Sequence, residues 1–200
     1  MAFKETRVQT PLGMRKSYFF PITAEPANAH PTYASDIDLG AAVKGYLTLN
    51  VASASIPGDD VDQVDLELFA GGQLDAETTL NDLEVNATLY GHTFTTEGGE
   101  ESKADDMAID GGYAFIEPIF TKAQGVFYRA TFLYKVTPLA SSEKQEADTR
   151  KRGEFNPKMN VVSYRIKEDN TRAWRKRKDF DTEAAADAFI VSIAHPSARG

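Results

Sequence analysis

Three histidines, His30, His92 and His195, are the side chains in this sequence whose ordinary pKa suits proton transfer or metal ligation near neutral pH. None has the histidine or carboxylate partner at i, i+4 that a helical metal site uses, so each reads as a loop or surface histidine. Cysteine is absent, which removes thiolate ligands, cysteine nucleophiles and disulfides from consideration. Gly71-Gly72, Gly98-Gly99 and Gly111-Gly112 lack the residues that would have to follow in a phosphate loop or dinucleotide fingerprint, and no nucleophile elbow occurs. They read as turns. Asp and Glu together number 30, so a two-carboxylate hydrolase is open on inventory alone. Asp59, Asp60 and Asp62 could offer oxygen ligands to a cation, but their spacing is not that of a calcium loop, and a solvated acidic turn is the simpler reading. The sequon Asn86-Ala87-Thr88 falls inside a helical pattern and reads as chance. The expectation is a protein that is not an enzyme, with no catalytic residues, metal or cofactor.

The strongest charged motif is basic: Arg172, Arg175, Lys176, Arg177 and Lys178 flank Trp174. Aromatics among cations can mark a single-strand nucleic-acid groove. In an extended strand, however, alternate residues face opposite sides, and a net charge of -8 works against neutralising phosphates. A solvated strand face is the first reading of this cluster. Pairing with an acidic surface of a neighbouring subunit is the second, which makes these five residues the candidate inter-subunit contacts.

The elements that would carry these residues are mostly strands. Tyr46 to Ser55 alternates, Ile56-Pro57-Gly58-Asp59-Asp60 turns, and VDLELF sets Val64, Leu66 and Leu68 against Asp65 and Glu67. Gly112 to Ile119 and Val126 to Val136 are rich in aromatic and β-branched residues and read as a strand pair joined at Lys122-Ala123-Gln124-Gly125. Val161 to Ile166 and Ala173 to Phe180 read as another hairpin. One amphipathic helix is expected over Thr79–Tyr90, with Leu80, Leu83, Ala87 and Tyr90 on one face, a Thr79–Asp82 capping box and Gly91 after the last turn. A short C-terminal helix follows Asp181, with Ala185, Phe189, Ile190 and Ile193 sharing a face until Pro196.

Phe3 to about Tyr46, rich in Pro and Ala, reads as an extended arm that a neighbour would order, and Glu97 to Asp106 as a flexible loop. The resulting organisation is an arm over 1–32, one mainly-β domain over 33–195 and a tail over 196–200. With 200 residues and 42% hydrophobic composition, one sizeable core is the default. No apolar run approaches the roughly 20 residues a bilayer needs, and MAFKETRVQTPLG is charged where a signal peptide is apolar, so neither membrane nor export is expected.

Taken in order, several segments resemble the major tail protein family of long, non-contractile-tailed bacteriophages, particularly those of Gram-positive hosts. They are Tyr33-Ala34-Ser35, Leu39-Gly40-Ala41-Ala42, Ile56 to Asp60, VDLELF, ATLYG, GGYAFIEPIF, Gly125, YRATFLYKV, Thr149 to Phe155 and FDTEAAADAFI. The resemblance covers most of residues 30 to 195 and is weakest over Pro138 to Ala147 and the N-terminal arm.

It implies a β-sandwich or barrel tail-tube fold with one flanking amphipathic helix and a short C-terminal helix. It further implies hexameric rings whose inner sheets join around a lumen. The partners it implies are other copies of the chain, then tape measure, initiator and terminator proteins, with DNA passing through unbound. The location it implies is the virion tail, reached from the host cytoplasm during assembly.

On that reading Asp65 and Glu67 are the candidate lumen-facing acids, where negative charge would repel DNA, with Val64, Leu66 and Leu68 toward the core. A plain solvent face is the alternative. Other readings are a carbohydrate-binding β-sandwich with Trp174 as platform, an unrecognised hydrolase, a tail terminator or a capsid decoration protein.

Overall fold

In the computed structural model, the described residues are 9–26, 29–58, 61–79, 82–122, 125–139, 157–165 and 172–196, with the side chains of 42–44, 53–58, 61–68 and 165 outside that description. The fold is mainly β with two helices, as the sequence predicts.

Two adjacent phenylalanines set the architecture. In β2 (Lys16–Ala24) Phe19 and Phe20 point to opposite faces, and both are buried, so this strand has core on each side. β8 (Gly111–Thr121) and β9 (Gly125–Leu139) share that property, which is why their sequences are near-continuous apolar runs. A tight turn joins them where Gly125 takes φ +76.

The remaining barrel strands are β4 (Ile37–Gly58), β5 (Val61–Thr78) and β10 (Lys158–Val162). Every neighbouring pair is antiparallel. The order runs β8, β2, β4, β5, β10, β9, and β9 pairs again with β8 from Thr121↔Gly125 to Gly111↔Val136, so the path closes on itself. Closure removes sheet edges that would otherwise stand open.

Phe19, Leu39, Leu74, Tyr113, Leu133 and Met159 fill the interior. Their registers agree: Phe19↔Tyr113, Tyr113↔Leu133 and Leu74↔Met159 are cross-strand pairs. Ser17 and Tyr113 satisfy each other's hydroxyls inside this core at 2.5 Å, and burial pushes the Tyr113 phenol up to about 12.

The opposite face of β8 and β9 carries Ala114, Ile116, Ala130 and Phe132, and α2 (Glu183–Ala194) covers it with Ala186, Ile190, Ile193 and Ala194. The spacing 186, 190, 193, 194 is a helical stripe, but it is turned from the expected one: Ala185 is exposed, and Phe189 lies at the border against Phe180 with ring centroids 5.1 Å apart. Thr182 caps the helix by accepting the Ala185 N–H at 3.2 Å. One turn apart, Glu183 and Asp187 take Arg15 at 3.1 Å and Lys16 at 2.6 Å, clamping the helix to the start of β2.

α1 (Leu83–Tyr90) starts later than the sequence suggests. Asp82 is its cap, accepting from the N–H groups of Glu84 and Val85 at 2.8 and 3.3 Å. Thr79 is not part of a capping box; its N–H donates to the Ala41 carbonyl and its hydroxyl accepts from Ala41 N–H, so it terminates the β4–β5 ladder. The buried residues of α1 are Asn86, Ala87 and Leu89, while Leu83 is exposed and Leu80 lies outside the described residues. Gly91 ends the helix at φ +73, as expected, and a Cβ there would strike the Met107 carbonyl.

The expectation of an N-terminal arm without a core needs correction. β2, β3 (Thr32–Tyr33) and the start of β4 all lie within it, and Phe19, Phe20, Tyr33 and Leu39 are core residues. Before them, β1 (Thr10–Pro11) pairs with β8 at Phe120 and Ile119; residues 1–8 lie outside the described residues. The expected 97–106 loop also has structure, since β6 (Thr93–Thr95) pairs with β7 (Gly99–Glu101).

Of the predicted late hairpin only β11 (Tyr164–Arg165) pairs with β12 (Arg172–Ala173) among the described residues; Val161 and Val162 belong to β10, and β13 (Arg175–Phe180) pairs with β9 instead. The segment Pro138 to Ala147 is described only to Leu139, where β9 ends.

Candidate functional site at the ribbon and barrel mouth

β4 and β5 are longer than the barrel can use. β2 pairs with β4 at Ile37 to Ala41, and β10 pairs with β5 at Gly72 to Asp75. Beyond those registers the two strands pair with each other alone, from Asn50↔Gly71 to Gly58↔Val61. At a rise of ~3.3 Å per residue, Asn50 to Gly58 reaches on the order of 30 Å. Both outer edges of this ribbon are unpaired among the described residues.

Tyr46, Leu49 and Val51 at its root are 67%, 41% and 58% exposed, an unusual grouping of large apolar side chains on one strand. VDLELF forms a strand as predicted, with Asp65 opposite Ser55 and Glu67 opposite Ser53. It belongs to the ribbon; the side chains of Asp65 and Glu67, and of Val64, Leu66 and Leu68, lie outside the described ones, as do Asp59, Asp60 and the side chain of Asp62.

The ribbon root is fastened to β13. Phe69 stacks on Trp174 with centroids 4.4 Å apart and planes 8° from parallel, and the Arg175 guanidinium lies 4.2 Å from the same indole. These contacts occupy Trp174, which is therefore packing between ribbon and strand and offers no open platform.

The basic cluster divides as alternation requires. Arg175 and Arg177 look into a cavity at the barrel mouth, whereas Lys176 and Lys178 lie over Phe189 at 5.5 and 5.8 Å on the α2 side. Arg172 sits in β12 opposite Arg165. β13 pairs with β9 from Arg175↔Leu133 to Phe180↔Tyr128, and its other edge is unpaired among the described residues.

The mouth is built by cross-strand rows. Glu117, Arg129 and Asp179 are successive partners on β8, β9 and β13; the next row is Phe115, Thr131 and Arg177. Arg129 grips Asp179 with two bonds of 2.7 and 2.9 Å. Burial raises the Glu117 carboxyl above its ordinary pKa, with Arg129, Arg177 and Arg175 pulling the other way. Burial, then repulsion from Arg177, lowers Arg175, and Glu117 partly offsets this. Thr131 is 1% exposed and its hydroxyl has no hydrogen-bond partner. Phe115, Glu117, Thr131, Arg175 and Arg177 line a half-enclosed cavity of about 230 Å³, walled on its apolar side by Leu47, Leu49 and Leu74.

Sequence reasoning did not single out Glu117 or Thr131. The signal was a charged residue and a hydroxyl inside two otherwise apolar strands, where burial on both faces makes polar groups costly.

The histidines stand apart from this site. His92 Nδ1 lies 2.5 Å from Glu100 Oε1 and 3.1 Å from Ser102 Oγ. Both partners meet the same ring nitrogen, so the trio does not form a serine relay, which needs the hydroxyl and the acid on different nitrogens. His30 stacks on Tyr134 at 4.6 Å, and burial followed by the charge of Lys176 holds it below its ordinary pKa. His195 is the residue after α2, against Phe20. Among the described residues no three His, Asp or Glu are grouped to hold a metal, and no helix is long and apolar enough to cross a membrane.

No protein-family model matches this chain, and no curated protein matches it significantly.

Proposed function

We propose that this chain is the tube-forming subunit of a long-tailed bacteriophage tail, assembling as stacked hexameric rings through which DNA passes. The observation that carries the reading is the β4–β5 ribbon: a closed barrel extends two strands well past its last shared register, with both their outer edges unpaired among the described residues. Open edges recruit further strands, and a soluble protein keeps long ones only where a partner uses them. The free edge of β13 supplies a further pairing surface, and its run of four cations suits an acidic neighbour. This chain, at net charge -8, is itself such a neighbour.

In this assembly the ribbon and β13 edges join copies, and stacking proceeds head to tail without closing. Asp65 and Glu67, carried on the ribbon, present negative charge to the lumen, so that DNA slides without adhering. The chain works in the virion tail after assembling in the host cytoplasm, alongside tape measure, initiator and terminator proteins.

Electron microscopy of concentrated protein tests this directly. Rings of six or tubes are expected; monomers that persist at high concentration with tail initiator components present would overturn it. Single rings that never stack would move the chain to a terminator role.

A further inference from the structure

We propose that the mouth of the barrel is a binding site for a small molecule with an oxyanion head and a short apolar body. This site stands independently of the assembly reading. Its polar end holds two guanidinium groups, Arg175 and Arg177, neither of which has an ion-pair partner among the described residues. Beside them the Thr131 hydroxyl is buried without a partner, although a hydroxyl in that position ordinarily finds one. Two guanidinium groups and a hydroxyl therefore line one end of the cavity with no acceptor within bonding distance among the described residues. Glu117, in the same wall, balances one of the two cations, which leaves the site net positive toward an anion.

The other wall is apolar, made by Leu47, Leu49, Leu74 and Phe115. Water alone serves such a cavity poorly, since it can satisfy the arginines only while wetting those side chains. A ligand that keeps the polar contacts and displaces the poorly held water gains affinity. A cavity of about 230 Å³ takes roughly eight non-hydrogen atoms if each occupies about the space of a water molecule. That is the size of a six-carbon carboxylate or a butyl phosphate. Arg175 is aligned for the head group by the indole beneath it and by its place in β13, so little order has to be created on binding.

The protein carries its own reporter, because Trp174 is the only tryptophan and Arg175 lies against it. Hexanoate and butyl phosphate are titrated against the full chain at neutral pH and low salt. Trp174 emission and isothermal calorimetry are the two readouts, with hexanol and inorganic phosphate as body-only and head-only probes. A saturable change with hexanoate or butyl phosphate is expected, at least about tenfold tighter than with either half-probe. The tighter of the two assigns the head as carboxylate or phosphate. Thr131→Val, which keeps shape and removes the hydroxyl, should weaken binding about fivefold or more, and Glu117→Gln should tighten it severalfold. Arg177→Gln, at an exposed position, should weaken it whether or not the Thr131 variant folds. No saturable signal with either ligand, equal binding of hexanol, or unchanged affinity in both Thr131→Val and Arg177→Gln would each overturn the proposal.

Discussion

Phe69 and Trp174 lie face to face, 4.4 Å between centroids and 8° from parallel, although they come from a ribbon strand and from the strand next to the C-terminal helix. This stack is the described side-chain contact that ties the ribbon root to the barrel wall, so it decides whether the ribbon has a fixed direction. Phe69→Ala should cost about 2 kcal/mol, below the roughly 3–5 kcal/mol of a fully buried aromatic truncation, because Phe69 is half-buried. Trp174 emission should shift to the red, and proteolysis within the ribbon should accelerate before global unfolding. An unshifted spectrum with unchanged protease resistance would show that the stack does not orient the ribbon.

Glu117 gives a stability effect whose sign depends on pH. Its folded pKa is raised, so the unfolded chain releases this proton more easily. The contribution of the protonated form is complete below the unfolded value of 4.5 and is lost as pH rises through the folded value. Glu117→Gln should therefore raise the melting temperature at pH 7 and have little effect at pH 4. A variant less stable than the parent at pH 7 would mean that the attraction of the surrounding arginines outweighs desolvation.

At the alkaline end the relevant groups are Lys16 and Tyr18, beside Asp187. The hydrogen bond to Asp187 raises Lys16, whose contribution is full below about pH 10.5 and lost above it. Burial, then Asp187, pushes Tyr18 up to about 12, so above pH 10 the unfolded chain releases this proton first and the stability contributed by the neutral phenol is lost as pH rises from 10 toward 12. Both signs agree: stability should fall steeply above pH 10 as α2 loosens from β2. Asp187→Asn should flatten that fall by removing the negative charge that holds the Lys16 proton. A parent protein whose melting temperature is flat from pH 9 to 11 would contradict the clamp.

Particular residues show where the sequence was legible. The β8–β9 hairpin was readable because aromatic and β-branched residues surround Gly125, whose positive φ is the turn. β2 was missed because Phe19 and Phe20 are buried on opposite faces, which erases alternation, and because Pro21 and the prolines after it resemble a loop. Thr79 and Asp82 read together as one capping box, but tertiary pairing with Ala41 took Thr79 and left Asp82 as the cap. The barrel mouth was not legible at all. Glu117, Thr131 and Arg177 meet only through strand order and register, and no local spacing encodes that.

The α1 cap gives a calibrated check on the local reading. Asp82→Ala should cost about 1 kcal/mol, roughly 2–4 °C in melting temperature for a chain of this size, while Thr79→Ala should act through the β4–β5 ladder. Losing two N–H partners at the helix start predicts faster amide exchange at Glu84 and Val85 for the Asp82 variant alone. The same exchange pattern from both variants would return Thr79 to a capping role.

The ribbon itself can be removed at a defined point. Val51 and Phe69 are cross-strand partners, so residues 52–68 can be replaced by Asn-Gly, the sequence suited to a two-residue hairpin turn. The Phe69–Trp174 stack and every barrel register survive this change, because β10 meets β5 only from Gly72 onward. The shortened chain should therefore melt cooperatively with an unchanged Trp174 spectrum, yet fail to form rings or tubes at any concentration. Separately, Lys176→Glu with Lys178→Glu should cost about 1 kcal/mol of monomer stability, since both lysines lie over Phe189, while making assembly weaker and less sensitive to salt. Tubes of normal yield from the shortened chain would show that the ribbon is dispensable. The free edge of β13 would then have to carry association alone.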